Sequence, residues 1–163
     1  MSMAAEPVDT MEPRQAVRLR RSTPSGLSIV VTTVVSDSHT WNLVFLQLAL
    51  EELGHEVRNL GPCVPAAEVV AECLRNPPDL VVVSTVNGHG MRDGTHLISL
   101  LRQRPELMDL PVVIGGKLGI AGPAGLQSSA RLLSAGFDAV YEDGASAAAL
   151  RSLPALVRAG RQL

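Results

Sequence analysis

At 163 residues with a formal net charge of −2, the chain is long enough for one ordinary domain with a real core, and its charge gives no attraction for nucleic acid or an anionic membrane surface. Aromatic residues make up only 2%, which removes base-stacking platforms and leaves the core to aliphatic side chains. There is no run of eighteen apolar residues and no charged-then-apolar leader, and Cys63 and Cys73 fit neither a disulfide framework nor a spaced metal site, so the expected setting is cytoplasmic, away from membranes.

Residues 1–25 hold scattered charges, three prolines and the basic residues Arg18, Arg20 and Arg21, with no apolar period. They read as a disordered, solvated arm, and residues 26–163 as the domain. Residues 27–35 are short, β-branched and almost wholly apolar, which suits a strand buried on both faces. Leu43, Leu46, Leu50 and Leu53 then recur at helical spacing, with Gly54 as the stop. A second strand is expected over 56–60. The next helix, over 66–74, is expected to have Pro65 just inside its start. Residues 79–84 read as the third strand, 85–93 as a polar loop and 94–104 as a helix. The fourth strand covers 111–114, closed by Gly115 and Gly116. A helix ending near Ala135, a short strand over 138–141 and a last helix over 146–160 complete the chain.

Strand and helix alternate five times, which predicts an α/β fold: a flavodoxin- or Rossmann-like parallel sheet flanked by helices. For five such units the commonest strand order is 2-1-3-4-5, and ligands bind beyond the carboxyl ends of the strands where that order reverses. The loops after strands 1, 3 and 4 therefore converge, bringing together Asp37 and His39, Ser84, and Gly115 with Gly116. An Asp two residues before a His can accept the proton of one ring nitrogen and leave the other as a neutral base or ligand. Taken singly, Ser84 reads first as a loop cap and the glycines as a tight turn with nothing bound. Together they fit a site, with bare backbone where a bulky ligand lies. His55, His89 and His96 read as structural or solvated, and Cys63 and Cys73 as small packed residues.

These residues resemble the signature of the cobalamin-binding domains of B12-dependent mutases and methionine synthase: Asp-x-His-x-x-Gly, then Ser-x-Leu, then Gly-Gly. Here Asp37-Ser38-His39-Thr40-Trp41-Asn42 stands for the first motif, Ser84-Thr85-Val86 for the second after 41 residues, and Gly115-Gly116 for the third after 28 more. Asn42 replaces the signature glycine and Val86 the leucine. The Asn87-Gly88-His89-Gly90 loop, the stretch from Val113 to Lys117 and the segment from Ala135 to Tyr141 further resemble the small subunit of glutamate (methylaspartate) mutase. The likeness spans roughly residues 27–160.

The resemblance implies adenosylcobalamin as cofactor, with His39 as the lower axial ligand of its cobalt and Asp37 holding the imidazole. It implies that Ser38, Thr40, Asn42, Ser84, Thr85, Val86, Gly88, Gly115 and Gly116 line the cofactor site. Ser84 would bond the displaced base, and the two glycines would admit the nucleotide tail. It implies no catalytic residue on this chain. A separate barrel-shaped large subunit, in a heterotetramer, would hold an amino-acid substrate such as L-glutamate and rearrange it to 3-methylaspartate. The alternatives are a corrinoid carrier of a methyltransferase system and a non-catalytic B12-binding module. A receiver-like signalling domain fits less well, because strand 3 ends at Ser84 and strand 5 at Tyr141 rather than at an Asp and a Lys.

Overall fold

The computed structural model of the chain describes residues 26–118, 123–142 and 146–160; the 1–25 arm lies outside the described residues. Strands β1 (Ser28–Thr33), β2 (Glu56–Asn59), β3 (Leu80–Thr85), β4 (Val112–Gly116) and β5 (Ala139–Tyr141) form one parallel sheet in the order β2-β1-β3-β4-β5. The sheet is covered on both faces, as the unbroken apolar runs require. α1 (Trp41–Glu52) and α5 (Ala147–Gly160) pack Leu43, Leu46, Leu50, Leu150 and Leu153 against Ile29, Val31, Val82 and Val113. On the other face α2 (Ala66–Arg75), α3 (Gly90–Arg102) and α4 (Pro123–Ala135) pack Val69, Ile98, Leu101 and Leu132 against Val30, Val81, Val83 and Ile114. Each such fully buried aliphatic side chain contributes about 1.5–3 kcal/mol. Among the described residues no helix is long and apolar enough to cross a membrane.

The alternation of side chains along β3 and β4 decides what faces where. Val82 lies on the α1/α5 side, so Ser84, two residues on, shares that face. Val113 lies there too, which puts Gly115 beside Ser84, its register partner. Thr85 and Gly116 turn to the α3 side.

Several boundaries differ from the sequence reading for identifiable reasons. β4 runs past Ile114 to include Gly115 and Gly116 as its last two residues, paired with Ser84 and Thr85. α3 begins at Gly90, not Gly94, and the loop is correspondingly shorter. Both glycines mark close packing: a Cβ on Gly90 would lie 2.5 Å from the Thr85 methyl, and one on Gly94 2.8 Å from Ile114. Pro65 stands outside α2 as its N-cap, at ψ 140°. Leu53 is the α1 C-cap residue and is 40% exposed, so it leaves the core stripe. Cys73 is buried as read, whereas Cys63 is exposed on a turn with φ +55°. A short 3-10 turn, Pro105–Leu107, separates α3 from β4.

His55 is structural, and it makes stability depend on pH. It is 9% exposed, and its Nδ1 accepts the Leu27 N–H at 3.1 Å, a bond that requires an unprotonated Nδ1. Burial holds its pKa below the ordinary 6.5. A depressed histidine pKa means the unfolded chain takes up the proton first. The contribution is therefore complete above pH 6.5 and is lost as pH falls below it. Urea midpoints should drop between pH 7 and 5.5, and His55→Asn, whose Oδ1 can accept the same N–H, should flatten that dependence. A pH-independent midpoint in the wild type would refute the assignment.

Candidate functional site

The turn after β1 is built around Asp37, which is fully buried. Its N–H donates to the Val34 carbonyl at 3.0 Å, and its own carbonyl accepts from the Thr33 hydroxyl and the Cys63 N–H, both at 3.0 Å. Its carboxylate is equally engaged. Oδ1 accepts the His39 N–H at 3.0 Å and meets the His39 Nδ1 at 2.7 Å, and Oδ2 accepts the Val86 N–H at 2.6 Å. Burial alone would raise the Asp37 pKa, but hydrogen bonds from His39 and Val86 outweigh it and hold the carboxyl below its ordinary value. Asp37 is thus an anion that can only accept, so Nδ1 of His39 carries the proton and donates. The lone pair of the neutral ring is then on Nε2, on a side chain 48% exposed at the carboxyl edge of the sheet.

Beside this turn lies a slot of about 580 Å³ between α1, α5 and the ends of β3 and β4. Its floor includes Val82, Ser84, Val113 and Gly115; its walls include Asn42 and Phe45 on one side and Leu150 and Leu153 on the other. The slot exists because the two floor positions nearest the edge carry almost no side chain. Ser84 is 6% exposed, and among the described residues its hydroxyl has no hydrogen-bond partner. Ser84 lines the slot, so a ligand or water there can meet its hydroxyl. Gly116 has φ +110°, and a Cβ there would lie 2.0 Å from the Thr85 carbonyl oxygen.

Most of the residues anticipated from the sequence meet at this edge. Asn42, Ser84, Val86, Gly115 and Gly116 line the slot. Asp37 and His39 are not among its lining residues; the buried Asp37 carboxylate joins their turn to it by accepting the Val86 N–H. Asn42 sits in the first turn of α1, so it needs no left-handed backbone; its half-buried side chain borders the slot. Ser38 and Thr40 are exposed on the turn, and Gly88 lies in the loop after β3 at φ +82°. Thr85 is not brought to the slot. It is wholly buried on the opposite face, and its hydroxyl donates to Asn87 Oδ1 at 3.1 Å.

The sequence reading overlooked the aromatic rim and the α5 wall. Three of the four aromatic residues, Trp41, Phe45 and Tyr141, border the slot. Trp41 and Phe45 were detectable as an i, i+4 pair off the Leu43–Leu46–Leu50 stripe, on a helix apolar on more than one side. Ala149, Leu150 and Leu153 carried no signal beyond ordinary amphipathicity.

Comparison with known proteins gives this geometry a context. A model of the B12 binding domain matches residues 27–151. The chain is similar to the glutamate mutase sigma subunit of Fusobacterium nucleatum, at 28% identity over 116 residues covering 71% of this chain and 85% of that one. It is 30% identical over 114 residues to the sigma subunit of Halobacterium salinarum, covering 70% and 75%. Among solved structures it is similar to a cobalamin-binding protein from Desulfitobacterium hafniense, with TM-score 0.64, 24% identity and coverage of 80% of this chain and 59% of that one. It is also similar to the methanol:cobalamin methyltransferase complex of Methanosarcina barkeri, with TM-score 0.63, 20% identity and coverage of 85% and 50%. The chain thus spans less than two thirds of either solved chain. A response regulator from Chloroflexus aurantiacus superposes equally well, with TM-score 0.63 at 18% identity and coverage of 82% and 98%, so these structural likenesses speak to the fold alone.

Proposed function

Since the chain belongs to the B12-binding domain family, we propose that it is the cobalamin-binding subunit of an adenosylcobalamin-dependent carbon-skeleton mutase of the glutamate mutase type, working with a separate catalytic subunit. The observation that carries this reading is the His39 ring, held through Nδ1 by a buried carboxylate that also accepts the N–H of Val86, a lining residue of the open slot, and half exposed with Nε2 left as a base. The sigma-subunit relatives favour a mutase over a methyl carrier.

The chain's own groups fit the cofactor. The Ser84 hydroxyl lacks a protein partner and opens onto the slot, which suits a polar atom of the displaced lower base. Gly115 presents bare backbone on the slot floor, where a nucleotide tail can lie. The aliphatic walls from α1 and α5 exclude water from a flat apolar ring. His39 would ligate cobalt through Nε2. Asp37 would fix the tautomer and ring orientation and raise the basicity of that nitrogen.

The chemistry that bound adenosylcobalamin supplies is homolysis of its cobalt–carbon bond, a source of radicals. This chain would hold the cofactor at the carboxyl edge of the sheet through His39 and the slot, and leave the substrate to the partner. The partner would hold the amino acid, with L-glutamate and 3-methylaspartate as the pair proposed.

Anaerobic titration of the full chain with cobalamin, with and without a candidate large subunit, tests the reading by visible absorption. The expected result is the spectrum of base-off cobalamin, followed by glutamate-dependent turnover of the assembled pair. No cobalamin binding in the presence of the partner would sink it. Binding with methyl transfer instead of rearrangement would convert it to the carrier alternative.

A further inference from the structure

The His39 turn is pinned to the β3–α3 segment twice, and only the first pin, Asp37 to the Val86 N–H, belongs to the histidine–carboxylate pair. The second involves Ser36, the residue before Asp37. Ser36 donates its hydroxyl to Asp93 Oδ2 and accepts from the Asn87 amide at 2.9 Å. Asn87 is itself oriented, because its Oδ1 accepts from the Thr85 hydroxyl at 3.1 Å and the His89 N–H at 2.9 Å. Asp93 lies on α3 and is 8% exposed, and its other oxygen takes the Arg92 Nε–H at 2.9 Å. An Asp in the first turn of a helix commonly serves the helix dipole from solvent. This one is buried and aimed across 57 positions of sequence at a serine on another loop.

We propose that Asp93 is a positioning residue for His39: through Ser36, and with Asn87, it locks the 36–39 turn to the end of β3 and so fixes where Nε2 stands relative to the slot. The inference rests on the cobalamin reading above. The reasoning is mechanical. Asp37 fixes the ring relative to the turn and ties the turn to Val34, Thr33, Cys63 and Val86, but every one of those bonds ends on Asp37. The anchor at Ser36, to the same β3–α3 segment, holds a second residue of the turn and so limits rotation about the first. Cobalt ligation needs both ring orientation and ring position, and side chains that support a ligand typically change metal affinity by about 10- to 100-fold.

The test uses the full chain, any candidate large subunit that the wild type needs for cobalamin uptake, and cobalamin reduced to the cobalt(II) state. With the chain labelled with 15N-histidine, the change of the nitrogen splitting from a triplet to a doublet in the electron paramagnetic resonance spectrum reports histidine ligation as distinct from ligation by the cofactor's own base, and absorption titration gives Kd. Ser36→Ala and Asp93→Ala should still take up cobalamin, with Kd raised about tenfold and a second population lacking the histidine nitrogen signal. Asp93→Asn, which keeps an oxygen for Ser36, should restore the single wild-type signal. A fold defect alone would lower Tm without splitting the population. Should Asp93→Ala fail to fold, Ser36→Ala carries the test, since it deletes one exposed hydroxyl. Wild-type signal and Kd within twofold in the variants would overturn this proposal alone. Absence of the nitrogen signal in the wild type would overturn it together with the cobalamin reading.

Discussion

His39→Ala should abolish nitrogen ligation of cobalt and weaken cobalamin binding by about 100-fold, equivalent to about 2.7 kcal/mol, while leaving the fold intact. The side chain is 48% exposed and its ring contacts the protein through one hydrogen bond, so its removal leaves no cavity. Asp37→Asn should behave differently. Its carbonyl oxygen can still accept from His39, but its amide nitrogen would then face the Val86 N–H, which now donates across 2.6 Å to Oδ2. Two donors opposed in a fully buried position should cost about 1–3 kcal/mol of stability as well as about tenfold in affinity. Parallel cobalamin titrations and urea denaturation separate the two variants. Unchanged binding in His39→Ala would remove the histidine from the site, and an unperturbed fold in Asp37→Asn would show that the carboxylate is not the anchor described.

Gly116→Ala should be the most damaging single change, at about 4 kcal/mol or more, near the upper end for point substitutions. The added Cβ would sit 2.0 Å from the Thr85 carbonyl oxygen, on backbone that also accepts the Lys117 N–H at 2.7 Å, and φ is +110°. Relief would require β3 and β4 to separate at the centre of the sheet. Because a domain of this size has only about 5–15 kcal/mol in hand, much of the chain should be unfolded or insoluble at 37 °C. Gly115→Ala, one residue earlier and on the other face, meets Tyr141 at 3.3 Å and should fold at a cost of about 1 kcal/mol. Its methyl would enter the slot floor and weaken cobalamin binding. The double glycine thus divides into one residue demanded by the fold and one available to a ligand. Urea midpoints for the two variants check this, and equal stabilities would contradict it.

The features legible in the sequence were those with local causes. β-branched runs marked β1, β3 and β4, and the alternation of five units carried the strand order, which placed Asp37, His39, Ser84 and Gly115 at one edge. The failures have a common origin in packing between distant segments. Gly90 read as part of a loop, Gly94 as a helix start and Gly116 as a strand end, yet each is small because another segment crosses it closely. Thr85 belongs to the second motif, but the pleat turns it away from the slot. Ser36, Asn87 and Asp93 are ordinary polar residues in sequence, and only the β1–β3 pairing brings their loops together. The α5 wall could not be assigned to a site before the strand ends were known to lie beneath it.

The exposed side of α1 has a consequence for handling the protein. Trp41, Val44, Phe45 and Leu48 are each at least half exposed on this one helix. In colloidal terms this is a sticky stripe, of the sort that drives self-association once concentration rises. A net charge of −2 supplies little mutual repulsion to oppose it. Any molecule that covers the slot rim at Trp41 and Phe45 therefore also acts as a solubiliser of the chain.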